Sequence, residues 1–173
     1  KNKQRIHMIT CSKQYRNLPA AHRQPNHSGH CSLIHGHNWG FDIKFATEQL
    51  DANKFVVDFG NLKFVKEWLE ELFDHTLLLN EDDPALAYLT DGLCNPGDSG
   101  LKFPFARIKV VPNCGAEALA EYVATRIDAL LLGRGLGHIH VVAVVCHEDD
   151  KNSGEWLLTG TSDLGLVESV HDV

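Results

Sequence analysis

A chain of 173 residues, 43% hydrophobic and 23% charged, has the make-up of one globular domain over 1–173, long enough to bury about 70% of its unfolded surface. The formal net charge of -7 excludes a general nucleic-acid surface, which needs a basic patch, and no apolar run approaches the ~18–20 residues that cross a bilayer. Five cysteines, an odd number without regular spacing, exclude a disulfide framework and point to a reducing, cytoplasmic setting.

The basic start, Lys1 to Arg5, is not followed by an apolar signal-peptide core, and the missing initiator Met is what a trimmed chain would show. Residues 5–12 predict a first strand with imperfect alternation. Residues 13–30 are polar, carry Pro19, Pro25 and Gly29 beside His22, His27 and His30, and predict an irregular entry into whatever follows. The alternation of Trp39, Phe41, Ile43 and Phe45 predicts a second strand from about 34 to 47. After a turn at 51–54, residues 55–58 predict a short third strand, and Asp58 is placed to cap a helix over 60–73. That helix carries Leu62, Val65, Leu69 and Leu72 at helical spacing, with Trp68 widening the apolar stripe as ordinary core packing. Asp74-His75 closes it, and 76–80 follows.

Residues 81–105 form a long connection with one short helical turn expected near 84–89. Residues 106–111 suit an edge strand. A second helix is predicted over 116–132, ended by Gly133, Gly135 and Gly137, which form no phosphate-cradling fingerprint. His138 to His147 reads as a strong strand, 148–154 as a turn, 155–159 as a last short strand, and the tail is polar. The order implies α+β: an antiparallel sheet with two helices packed on one face.

The chemistry gathers around Cys31-Ser32-Leu33-Ile34-His35-Gly36-His37. In a strand, residues two apart share a face, so His35 and His37 project side by side and can bind one Zn²⁺. His22 offers a third nitrogen. Cys31 either joins the metal or stands beside it as nucleophile or base. The ordinary alternative is a histidine-rich loop without a metal.

Four segments in this order, Ala20-Ala21-His22-Arg23, Cys31-x-x-x-His35-Gly36-His37-Asn38, Val57-Asp58-Phe59-Gly60-Asn61-Leu62-Lys63 and Asp74-His75, resemble the 6-pyruvoyl-tetrahydropterin synthase / 6-carboxy-tetrahydropterin synthase family. The likeness covers most of 18–80 and returns at Ala116-Glu117 and His147-Glu148. It implies the tunnelling fold, whose sheets join into a barrel on oligomerisation, usually as trimers paired into homohexamers. It implies that His22, His35 and His37 hold zinc with a fourth position open. Cys31 matches the family's general base, and Asp74 with His75 its second proton carrier. Adjacent residues of an extended chain point apart, so that pair need not bond directly. In the family the cysteine and this dyad come from neighbouring subunits. Glu148 matches the pterin anchor, a carboxylate that accepts two N–H bonds. Glu117, at a helix start, is explained equally by the helix dipole. Arg23 and Lys151 are placed as phosphate neighbours.

Three positions depart from the pattern: Leu18-Pro19 replaces an aromatic, Asn113 to Glu117 lacks a threonine, and Asp149 replaces another. They bear on pterin contacts more than on the metal. Both family branches take 7,8-dihydroneopterin triphosphate. The three residues between Cys31 and His35 match the 6-carboxy branch, which releases acetaldehyde and triphosphate and feeds 7-deazaguanine (queuosine) synthesis. The alternatives are a 6-pyruvoyl-tetrahydropterin synthase, a non-catalytic zinc protein that binds a pterin or purine, and, more weakly, a zinc hydrolase. The hydrolase lacks a His-Glu-x-x-His helix.

Overall fold

The computed structural model describes residues 7–95, 97, 102 and 104–159. The polar tail beyond 159, the first two residues of the predicted 5–12 strand, and Pro96 and Gly100 of the long connection lie outside them. Strands β1 (Ile9–His22), β2 (His35–Thr47), β3 (Thr76–Asn80), β4 (Ile108–Val111), β5 (His140–His147) and β6 (Ser153–Leu157) form one sheet in the order β4-β3-β1-β2-β5-β6. Helices α1 (Lys63–Phe73), α2 (Leu86–Cys94) and α3 (Ala116–Leu132) lie between them in sequence. None of the described helices is long and apolar enough to cross a membrane.

Strand β2 shows why the core lies where it does. Trp39, Phe41, Ile43 and Phe45 are fully buried on one face, while Asp42 and Lys44 point to the other. Val65, Leu69, Leu72 and Phe73 of α1 and Leu119, Val123, Ile127 and Leu131 of α3 are buried in the same core. The Phe73 ring stands 5.0 Å from Phe41, and Trp68 of α1 meets Tyr122 of α3 at 6.2 Å. Each large apolar side chain buried here contributes roughly 1.5–3 kcal/mol.

Four expectations are corrected. The sheet is mixed rather than antiparallel, because β3 runs parallel to both β1 and β4. All five residues of β3 are buried, and a strand covered on both faces shows no alternation to read. Among the described residues there are three helices rather than two: α2 extends the single turn expected near 84–89, and none of its residues is fully buried. Residues 55–58 are not a strand. Asp51 Oδ1 accepts from Asn53 N and Phe55 N and bends the chain, although Val56 and Val57 are buried.

The fourth correction matters most for the site. The supposed irregular entry is a continuation of β1 through to His22, with a bulge between Tyr15 and Leu18. Tyr15 pairs with Phe41 and Leu18 with Trp39, so β1 uses three steps where β2 uses two. Asn17, at φ 62, takes the extra residue, in the left-handed region that Asn tolerates. A one-residue offset exchanges the faces of a strand. Tyr15 and the even-numbered Leu18, Ala20 and His22 are therefore all buried.

Candidate functional site

His22 ends β1 opposite His35, which begins β2, and His37 lies two residues further along β2. The rings of His22, His35 and His37 have centroids 4.6–5.1 Å apart. His22 Nε2 is 3.1 Å from His35 Nε2. Glu148, just past β5, brings Oε1 to 3.3 Å from His22 Nε2 and 3.5 Å from His37 Nε2. One donor atom from each of these four residues lies within 4.8 Å of the others.

The ring nitrogens facing away from this centre are already committed. His22 Nδ1 donates to the Cys114 carbonyl at 3.0 Å, and His35 Nδ1 donates to the Leu33 carbonyl at 2.7 Å. A carbonyl only accepts, so both protons sit on Nδ1, and in the neutral rings the two Nε2 lone pairs face each other. Two lone pairs at 3.1 Å repel unless a cation lies between them. His37 Nε2 is buried without a hydrogen-bond partner among the described residues. Zn–N bonds of about 2.0–2.1 Å at tetrahedral angles place ligand atoms about 3.3 Å apart, close to the 3.1 Å between His22 Nε2 and His35 Nε2. The residues present therefore fit a zinc ion, with the Nδ1–H of His22 and of His35 held by a carbonyl as is usual for metal-ligating histidines.

Those carbonyls are held in turn. Asn80, buried at the end of β3, accepts from Cys114 N through Oδ1 at 2.8 Å. A 3₁₀ turn over His30–Ser32 sets Leu33, with Leu33 N bonded to the His30 carbonyl at 3.0 Å. Cys31 is the middle residue of that turn, and Gln24 N donates to its carbonyl at 2.8 Å. The Cys31 thiol is free and lies outside the close group of four.

A cavity of about 450 Å³ opens beside the cluster, lined by His22, Cys31 and Glu148 together with Gln24, His27, Glu117, Lys151 and Asn152. The β5–β6 turn frames it: Asp149 accepts from Lys151 N and Asn152 N at 2.7 Å, so this departure from the family pattern serves the turn. Gly154 lies against the start of α3, where a Cβ would stand 2.3 Å from Glu117 N. That contact draws Glu117 and Glu148 into one cavity. Gln24 and His27 were not singled out from the sequence. Only the folding-back of the 24–31 loop brings them to the wall, and no periodic pattern marks a loop.

Asp74 and His75 do not line this cavity. His75 borders a shallow depression with Pro19, Gly36 and Asn38, and its side chain is 79% exposed. It is bonded directly to its neighbour, His75 Nδ1 to Asp74 Oδ1 at 2.7 Å, against the expectation for an extended chain. The reason is its φ of 54, a strained conformation for a non-glycine residue. Arg23 has a protein partner. Its Nε pairs at 3.2 Å with Asp83, whose side chain is fully buried, so it fastens the long connection beside the site. Lys151 remains at the cavity wall.

Burial lowers the His22 pKa to about 4, with His35 and His37 adding repulsion and the Cys114 hydrogen bond opposing them. The unfolded chain takes up this proton near 6.5, the folded chain only near 4. Between those values the unfolded state binds more protons, so stability falls as pH falls. The metal-free protein is expected to lose about 3 kcal/mol from this group between pH 7 and about pH 4. Urea unfolding in chelator across that range measures it, and His22→Gln should lack that part of the slope.

A family model described as 6-pyruvoyl tetrahydropterin synthase matches residues 10–156. Among curated relatives, the 6-carboxy-5,6,7,8-tetrahydropterin synthase of Rickettsia felis is 39% identical over 77 residues, 44% of this chain and 55% of that protein. The protein of that name in Aquifex aeolicus is 28% identical over 128 residues, 73% of this chain and 75% of that protein. The chain thus spans about half the length of the Rickettsia relatives it matches. Among solved structures, an uncharacterized protein of Wolinella succinogenes superposes with a TM-score of 0.72 at 17% identity, over 88% of this chain and 99% of that one. The 6-pyruvoyl tetrahydropterin synthase of Plasmodium vivax does so with a TM-score of 0.61 at 13% identity, over 89% and 99%. At such identities these two likenesses speak for the fold alone. The family model reaches further, because its match runs from the first strand to the last and takes in all three histidines, the cysteine and Glu148. The chain belongs to the 6-pyruvoyl tetrahydropterin synthase family.

Proposed function

We propose that this chain is a zinc-dependent lyase, a 6-carboxy-5,6,7,8-tetrahydropterin synthase that converts 7,8-dihydroneopterin triphosphate to 6-carboxy-tetrahydropterin, acetaldehyde and triphosphate. The observation that carries the reading is the meeting of His22, Cys31 and Glu148 on one polar cavity, with His35 and His37 closing the histidine cluster behind it. The names of the Rickettsia and Aquifex relatives and the short Cys31–His35 spacing favour the 6-carboxy branch.

His22, His35 and His37 hold the zinc. Bound there, zinc supplies a Lewis acid for the vicinal hydroxyls of the substrate side chain and acidifies the adjoining C–H and O–H groups. Cys31 takes up a proton from that side chain. Glu148 accepts the 2-amino and N3 hydrogens of the pterin ring through its two carboxylate oxygens. Asp74 holds His75 by its Nδ1, leaving Nε2 to deliver or accept the second proton.

Because the dyad faces a different depression from the cavity of its own chain, it serves a neighbouring copy in this reading. A homohexamer of two trimers would complete each site that way, with β4 and β6 as the free sheet edges through which barrels join. Five free thiols suit a reducing cytoplasm. Incubating the zinc-loaded protein with 7,8-dihydroneopterin triphosphate and assaying acetaldehyde is the direct test. Turnover of the pterin with no acetaldehyde would replace the product by 6-pyruvoyl-tetrahydropterin.

A further inference from the structure

Glu148 stands close to two of the three histidines. Its Oε1 lies 3.3 Å from His22 Nε2 and 3.5 Å from His37 Nε2, while His22 and His35 approach to 3.1 Å. These three separations are near the ~3.3 Å edge of a tetrahedron with metal bonds of about 2.0–2.1 Å, while the four donor atoms as a group lie within 4.8 Å of one another, Glu148 being nearer to His22 and His37 than to His35. Three histidines alone would leave the fourth position to solvent, yet a carboxylate oxygen already stands at ligand-like spacing from two of them and within 4.8 Å of the third. Glu117 lines the same cavity and is not part of that close group.

We propose that Glu148 is the fourth metal ligand of the resting protein, and that it leaves the metal for the pterin ring when substrate arrives. This rests on the zinc reading of the histidine cluster and deepens it. One carboxylate cannot hold the metal and a pterin edge with both oxygens at once, so the two roles alternate. The exchange needs only a side-chain rotation. The Glu148 backbone is pinned by its N–H to the Asn152 carbonyl at 3.0 Å, while its side chain is 26% exposed and borders the 450 Å³ cavity. Charge gives the exchange a purpose. Three neutral imidazoles leave zinc with its full double positive charge, and an added carboxylate halves the net charge of the centre. The resting ion is held more tightly and polarises less. Binding of the pterin withdraws the carboxylate and restores a stronger Lewis acid at the moment the side-chain hydroxyls reach it.

The test is a zinc competition titration on the wild-type protein, Glu148→Gln and Glu117→Gln, without any pterin, joined to a crystal structure of the zinc-loaded wild type before and after a neopterin soak. Glu148→Gln should weaken zinc by about tenfold or more, and Glu117→Gln by much less. The crystal should show Glu148 on zinc before the soak and on the pterin after it. Equal affinities in wild type and Glu148→Gln, equal losses in both variants, or a water in the fourth position with Glu148 turned away would each overturn the inference and leave the three-histidine reading standing. A wild-type protein that takes up no zinc would overturn both.

Discussion

Replacing Cys31 by Ala is expected to cut turnover of 7,8-dihydroneopterin triphosphate by about 10²–10⁴-fold and to leave zinc content unchanged. The two halves of that expectation come from different features. The thiol borders the cavity that Glu148 and His22 share, where the reacting side chain would lie. It stands outside the close group of donor atoms, so its loss removes no ligand. The 3₁₀ turn that carries it is built from backbone bonds, Ser32 N to the Gly29 carbonyl and Leu33 N to the His30 carbonyl. Ala keeps those bonds, and so keeps the Leu33 carbonyl on His35 Nδ1. Steady-state turnover and metal analysis of the same preparation decide the matter. Full turnover in the variant would remove Cys31 as the proton carrier, absence of turnover in the wild type would favour the binding-protein reading, and loss of zinc would make Cys31 a ligand.

His22→Ala is expected to weaken zinc by about 10²–10³-fold, the share of one ligand among the 10–16 kcal/mol typical of a complete protein zinc site. His22 is the best-fixed of the three: it is 2% exposed, its Nδ1 is tied to Cys114, and its Nε2 faces both His35 and Glu148. The same burial that keeps it neutral keeps its lone pair available. Competition against a chromophoric chelator at pH 7 measures the loss. Zinc affinity within about twofold of wild type would remove His22 from the ligand set. Circular dichroism of the chelated variant separates this from unfolding, because the rest of the core does not rest on the imidazole.

The pattern of β2 was legible because its two faces differ: alternation marks a strand with a core on one side only, and His35 and His37 inherit their common direction from it. Helix α3 was read to its ends, Ala116–Leu132, because its buried positions recur with the helical period and glycines stop it. Strand β3 was passed over because it is buried on both faces, and only a turn near 84–89 was expected where α2 lies, none of its residues being fully buried. The ion pair of Arg23 was not legible because Asp83, its partner, is far away in sequence and is brought back only by the long connection. The contact between Asp74 and His75 depended on one backbone angle, the φ of 54 at His75, which sequence alone does not disclose.

By itself the sequence pointed to a His-x-His pair on one strand face, an upstream histidine and a cysteine four residues before the pair, and the family resemblance added the carboxylate after the strongest strand. Residue type and short-range period carry that information, because bonding capacity belongs to the side chain and the two-residue period to the extended backbone. Only the tertiary structure decided that they meet. The bulge at Asn17 reverses the parity of β1 and turns His22 inward, and Gly154 lets β6 close against α3 so that Glu148 overhangs the histidines. Both depend on one residue's fit against a distant segment, and a local reading contains no term for that.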